Sequence, residues 1–516
     1  MAGQVEKLSI ALMETPTREI IFWTAFCAAA AALLLLRLKF ITSGRPRLPP
    51  GPRGWPVVGN MFDLGTSSHA NLAGLKDKYG PLIWIRLGSI NTLVISSAEA
   101  AMDMFKNHDQ SFCNRHLNEV LKSDETVSAI VSLSQYGPYW RMMRRLYATE
   151  LFSAKRIHGT APLRRRCVDK MIKWISVEAK GTSSVEMRPF LSATLFNLIG
   201  NLLLSRDLLD PKSPKGTEFF NLSSELIALT AKPNLADFFP SLRWLDPQGV
   251  KKKVKVKLNR ILEIVGGFVE ERRRDVQHQQ HNKEKDFLDL MLEFEGNGKD
   301  EPTKISDRNL YMLILELLTA GTDNTVTTIE WAMAELLRKP ETMKKVKAEI
   351  TQVVGHDRRI EESDIEDLHY LLAVIKETFR LHTTPFLVPR SVVKDTEFMG
   401  YWIPKDTQVF INAWAIGRDP RTWDDPLSFK PERFLGSNID YRGQNFQFLP
   451  FGAGRRICPG ISLAHKMLHV VLGSLLQSFE WVLENGVTPE TIDMREKLGT
   501  TLRKAIPLKA IPKSVV

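Results

Sequence analysis

Ten consecutive residues, Phe451-Gly452-Ala453-Gly454-Arg455-Arg456-Ile457-Cys458-Pro459-Gly460, set one thiol in a turn of three glycines and a proline. Glycine lets the backbone approach a flat ligand closely and adopt φ > 0. N–H groups freed by such a turn point at sulfur and hold it as thiolate. Arg455 and Arg456 bring positive charge that lowers a thiol pKa or pairs an acidic group on a ligand. A lone cysteine is more often inert and buried; the spacing Phe-Gly-x-Gly-x-Arg-x-Cys-x-Gly favours Cys458 as a metal ligand. A second constellation is Ala320-Gly321-Thr322-Asp323-Asn324-Thr325, polar where its neighbours are apolar. A carboxylate and two hydroxyls there can move protons, whereas Asn324 hydrogen-bonds but relays protons poorly.

The decapeptide resembles the haem-binding signature of the cytochromes P450 at every fixed position, with Cys458 as axial thiolate ligand of the haem iron. Three further motifs follow in that family's order. Glu377-Thr378-Phe379-Arg380 resembles its Glu-x-x-Arg, with both charges on one helical face, and Pro431-Glu432-Arg433-Phe434 resembles the segment whose arginine completes a Glu377–Arg380–Arg433 triad. Trp140-Arg141-Met142-Met143-Arg144 resembles the Trp-x-x-x-Arg of a helix touching a haem propionate. The resemblance spans residues 49 to 510. It implies haem contacts from Trp140, Arg144, Arg390, Phe451, Arg456, Ala320 and Gly321, and oxygen activation by Asp323, Asn324, Thr325 and Thr322. Asn324 stands where the family usually has threonine, so a neighbouring threonine, a water or a substrate hydroxyl must then carry protons.

The same resemblance gives the pocket. The loop between Phe112 and Trp140 holds Val127, Ile130 and Val131 as substrate-wall candidates, the segment after Arg380 offers Thr384, Phe386 and Leu387, and the last turn offers Thr500. The Pro-Pro-Gly-Pro hinge and Gly-Arg-Arg-Ile-Cys-Pro-Gly look like the plant A-type microsomal clan. Residues 196–201, 239–249 and 412–419 look most like the geraniol hydroxylase and iridoid oxidase subfamily, whose relatives also oxidise alkaloids and diterpenoids. The implied activity is a monooxygenase acting on a lipophilic plant metabolite, with haem b as cofactor. NADPH and O2 are used through a separate NADPH-cytochrome reductase, and no Gly-rich dinucleotide fingerprint is visible here. Oxidation or oxidative coupling of an alkaloid or phenolic substrate stays open as an alternative, as does a reductase-independent haem-thiolate isomerase or dehydratase because of Asn324.

These residues need elements to hold them. Apolar positions recurring from Leu310 to Leu337, with Ser306 as cap and Pro340 as stop, predict a helix over 306–338 that crosses the domain's middle. Its buried Asp and Thr need partners, or a local widening of the helix that admits water. Residues 198–244 predict helical stretches broken at 210–214, Pro233 and Pro240, like a mobile roof. The fold class is mainly α with small β-sheets (α+β), one large haem domain over 53–516.

The chain has 516 residues, a formal charge of +11 and four cysteines. So few cysteines argue against a disulfide framework; Cys27, Cys113 and Cys167 have no metal-type spacing and read as structural. No basic–aromatic stripe argues for nucleic acid, and the run Lys251-Lys252-Lys253 with Lys255 and Lys257 reads as a solvated helix face. Residues 20–36 carry no charge, and Arg37, Lys39, Arg45 and Arg47 follow where a signal peptide would place a cleavage site. The expectation is an uncleaved single-pass anchor in the endoplasmic reticulum membrane, with 1–19 lumenal, 37–52 a basic, proline-rich hinge, and the catalytic domain cytosolic.

Overall fold

The computed structural model describes residues 47–122, 128–181, 184–209, 214–277 and 285–514, with Thr24. The expected anchor, most of the basic linker, Cys27 and Val127 lie outside the described residues.

Helices dominate, as the residue pattern predicts. Those that position the site are α1 (Pro138–Leu146), α2 (Met187–Leu204), α3 (Pro214–Thr230), α4 (Val250–Gln277), α5 (Asp307–Arg338), α6 (His369–Leu381) and α7 (Ile461–Ser478). The Ser306 side chain accepts the Asn309 N–H at 3.3 Å, capping α5, and Pro340 opens the next helix, where α5 cannot continue. α5 packs against α2, α4, α6 and α7, so it is buried on most of its circumference, by apolar residues and by paired Glu and Thr. A Cβ on Gly321 would lie 3.0 Å from Ile199 Cδ1, so glycine is what lets α2 and α5 close at that point. α5 stays α-helical throughout and does not widen. α2 is long and apolar enough to cross a membrane, but 72% of its window is buried, and it is a core helix.

Four strands form the main sheet: β1 (Leu82–Leu87), β2 (Ile90–Ile95), β3 (Leu387–Ser391) and β4 (Gln408–Asn412), in the order β1-β2-β4-β3. β1 and β2 are antiparallel, β2 and β4 parallel with Thr92 opposite Gln408, and β3 antiparallel to β4 with Leu387 opposite Asn412. Pro389 is tolerated because β3 is an edge strand. The roof breaks as expected: α2 ends at Leu204, α3 starts at Pro214, and two short helices occupy Leu235–Phe238 and Pro240–Leu242. A separate small unit joins residues 47–48 to 399–402, where Trp402 N–H donates to the Arg47 carbonyl at 2.9 Å.

Candidate active site

The Cys458 turn is fixed mainly by its own backbone. Gly452 and Gly454 both adopt φ 67°, and a Cβ on Gly454 would fall 2.5 Å from Asp109 Oδ1. Cys458 N–H donates to the Phe451 carbonyl at 3.0 Å. Burial pushes the thiol pKa up, while the Gly460 N–H and the Arg144 charge pull it down. The two arginines of the turn also tie it to the rest of the domain. Arg455 is held by Asp109, through its N–H and its guanidinium, each at 2.9 Å. Arg456 spends its donors on the carbonyls of Cys113, Val131 and Ser134 at 2.6, 3.3 and 2.5 Å. Arg144, on α1, is the cation that bears on the sulfur.

Behind the turn the structure brings Glu377, Arg380 and Arg433 together. Glu377 accepts from Arg380 at 2.7 and 2.8 Å, from Arg433 at 3.1 Å and from the Lys430 N–H at 2.7 Å. Arg380 also donates to the carbonyls of Gly417, Pro426 and Ser428. Glu377 and Arg380 have no exposed side-chain surface, so each charge depends on the others for its solvation.

Between Cys458 and α5 lies an inner cavity of about 330 Å³. Ala320, Gly321, Asn324 and Thr325 face it from α5, Phe451 and Thr384 from the other side, and Arg115, Trp140, Arg144, Arg390 and Arg456 along its rim. Burial lowers Arg390 and Arg456 to about 10, with the charge of Arg456 adding to the fall at Arg390 and that of Arg144 to the fall at Arg456. Arg390 donates to the Ala453 carbonyl at 3.1 Å, yet its Nε has no partner. Trp140 gives its indole N–H to the Val131 carbonyl at 3.1 Å, and its ring lies under the guanidinium carbons of Arg456 and Arg144, 4.9 and 5.6 Å from its centroid. A thiol at the centre, a cationic edge and an unsatisfied buried Arg390 N–H fit a flat, apolar ligand with acidic groups along one side, as haem is.

Sequence reasoning missed Arg115. Its Nε donates to the Ser132 carbonyl at 2.8 Å, another donor meets the Pro389 carbonyl, and burial holds its pKa well below the usual arginine value.

An outer cavity of about 1080 Å³ runs along α5 and is bordered by Ile130, Asp323, Thr500 and Thr501. The two cavities share Ser132, Glu316, Ala320 and Asn324, so Asn324 stands where they join. Its Nδ2 lies 3.4 Å from the Ala320 carbonyl, and Thr325 Oγ1 lies 3.3 Å from that of Gly321. Asp323 faces away from Cys458. Its two oxygens accept from Arg188 and from Thr501, each at 2.6 Å, and Arg188 also pairs Glu330 at 2.8 Å. Arg188, Glu316 and Thr501 were also missed.

Three expectations need correction. Thr322 is buried beside α5's own backbone, donating to the Leu318 carbonyl at 2.7 Å, and borders neither cavity. One residue of helix turns a side chain by about 100°, which takes Thr322 off the face shared by Gly321 and Thr325. Phe386 packs edge-on against His69 at 5.3 Å, and Leu387 joins the sheet cluster of Leu72 and Ile83. Pro385, Val388 and Pro389 line the inner cavity instead. Val131 lines the inner cavity and Ile130 the outer.

This thiol turn, its buried charge brace and the long helix across the cavity define a haem-thiolate protein. The cytochrome P450 family model matches residues 49–509, and the chain belongs to that family. It is 49% identical to iridoid oxidase of Catharanthus roseus over 95% of this chain and 97% of that protein. It is 40% identical to geraniol 8-hydroxylase of the same plant over 94% and 98%. To 7-ethoxycoumarin O-deethylase of Helianthus tuberosus it is 41% identical over 91% and 95%. The chain is accordingly an oxidoreductase of the monooxygenase class that works with a haem-thiolate cofactor.

Proposed function

We propose that this chain oxidises a monoterpenoid or iridoid in plant terpenoid metabolism, with electrons from NADPH delivered by a separate membrane-bound flavoprotein reductase. The observation that carries the reading is the near-full-length similarity to iridoid oxidase. Haem b, when bound, supplies the activation of dioxygen and the transfer of one oxygen atom to substrate carbon. Cys458 would hold it as thiolate, and Arg390, Arg144, Arg456 and Arg115 along the rim would pair its acidic groups. The outer cavity admits a lipophilic substrate along α5, and Asn324 orients it at the junction by hydrogen-bonding a substrate oxygen. Asp323, held by Arg188 and Thr501 on the outer-cavity side, is the proton source in this reading, and an ordered water or a substrate hydroxyl beside Asn324 carries the proton on to Thr325. Residues 20–36 anchor the chain in the endoplasmic reticulum with residues 53–516 in the cytosol.

Membranes carrying this chain and a reductase are to be incubated with NADPH, oxygen and a panel of monoterpenoid and iridoid alcohols. Oxygenated product dependent on all three is expected. Product formed by purified protein without reductase, NADPH and oxygen would instead make it an isomerase or dehydratase. Protease added to intact microsomes digests the catalytic domain if the topology is right; full protection reverses it.

A further inference from the structure

Glu316 is a buried carboxylate on α5 that the chemistry above does not use. It sits one helical turn before Ala320 and borders both cavities. Its Oε2 accepts the Val131 N–H at 2.8 Å and its Oε1 the Ser132 N–H at 2.7 Å, with Tyr147 Oη 3.4 Å away. Burial raises its pKa, and the donors of Ser132, Val131 and Tyr147 oppose that rise. The side chain thus stitches the loop wall across to the long helix.

The same short stretch of loop faces the other way with its carbonyls. Val131 accepts from Trp140 and Arg456, Ser132 from Arg115, and Ser134 from Arg456. Val131 and Ser132 therefore give N–H groups to the helix, while the carbonyls of Val131, Ser132 and Ser134 go to the cations on the rim of the inner cavity. We infer that Glu316 is a positioning residue that sets the width of the junction between the cavities, and through it the part of a substrate that reaches the haem. Cofactor seating and substrate selection share Val131, Ser132 and Ser134 as a common wall. This rests on the proposed function only for the identity of the substrate.

Glu316→Gln is the sharpest probe, because an amide offers one acceptor oxygen and confronts the second backbone N–H with its own donors. Two azoles that ligate haem iron read the junction without any substrate. 4-Phenylimidazole needs only the inner cavity, while a triphenylmethyl-imidazole must straddle the junction. In the haem-loaded E316Q enzyme the bulky azole is expected to weaken about tenfold relative to the small one, the scale of one lost hydrogen bond to a buried charge. Hydrogen exchange of the peptide covering 128–136 should quicken by a similar factor. Glu316→Asp, which keeps the charge but shortens its reach, should fall between. With geraniol as probe, KM should rise more than kcat falls and the product distribution should broaden. An affinity ratio within twofold of wild type, or shifted toward the bulky ligand, overturns the inference. No turnover of any terpenoid, with the ratio shifted as expected, leaves Glu316 in its role and overturns the substrate reading alone.

Discussion

The two walls of the inner cavity are built by different rules. On the Cys458 side, Glu377 alone takes four hydrogen bonds, and Arg380 reaches three carbonyls besides. On the α5 side, Asn324 and Thr325 make single contacts at 3.4 and 3.3 Å to their own helix and face open space. Redundant buried bonds suit the wall that must grip one unchanging group, since any lost partner strands a charge. Sparse contacts suit the wall that meets a variable substrate, since little is lost when one residue type replaces another. Substitutions should accordingly act through cofactor retention on one side and through turnover on the other.

Cys458→Ser should have the largest effect, abolishing the red-shifted Soret band of the reduced carbon-monoxide complex; its survival would remove the ligand assignment. Arg380→Ala leaves Glu377 buried with two of its four hydrogen bonds gone and should cost about 3–5 kcal/mol, read as lost haem content and a lower denaturation midpoint. Equal loss from a distal substitution would erase the contrast.

Acid tests the gripping wall next. His465 and His469, on α7 beyond the thiol turn, are pushed by burial to about 4 and about 3. Unfolded, each binds a proton near pH 6.5. The stability tied to their neutral form is present above pH 6.5 and is lost as pH falls toward 4, about 2 kcal/mol per histidine at pH 5. Urea midpoints measured from pH 7 to 5 should fall, and His469→Gln should flatten the slope. No histidine among the described residues lines either cavity, so substrate affinity should not follow this titration.

Smaller effects belong to α5. Asp323→Asn keeps the shape and a Thr501 contact but gives up the charge opposite Arg188; turnover should drop at least about tenfold with haem content unchanged. Asn324→Thr should change least, raising coupling of NADPH use to product by about twofold or threefold with poor substrates and little with the true one. A large loss of haem from either would show that the distal wall also grips the cofactor.

The gripping wall was legible because its geometry is local. A turn of ten residues sets the Cys458 backbone, and Glu377 and Arg380 lie three residues apart on one helix. The distal wall was half legible. The α5 limits followed from cap and periodicity, and the face bearing Ala320, Gly321, Asn324 and Thr325 repeats at helical spacing, a pattern that argues against Thr322 once helix rotation is applied. Arg115, Arg188, Glu316 and Thr501 were not legible. Glu316 meets a loop 184 and 185 residues earlier, and Thr501 meets Asp323 across 178 residues. Such pairings depend on how whole helices dock, and no local sequence signal carries that. Phe386 and Leu387 sit one or two residues from true lining positions, where a small shift of the chain decides which side chain turns inward.

The register of the main sheet bears on how the chain is made. Thr92 Oγ1 donates to Gln408 Oε1 in the β2–β4 pairing, across 316 residues of chain. At roughly 5–20 residues per second of synthesis, the β1–β2 hairpin waits about 15–60 s on the ribosome before β4 exists to cover its edge. For that interval Leu93, Val94 and Ile95, paired to β1 on one side, leave their other edge unpaired, the kind of edge that recruits other chains. Yield in a heterologous host should therefore respond to chaperone supply and slower growth temperature during synthesis more than to the stability of the finished protein.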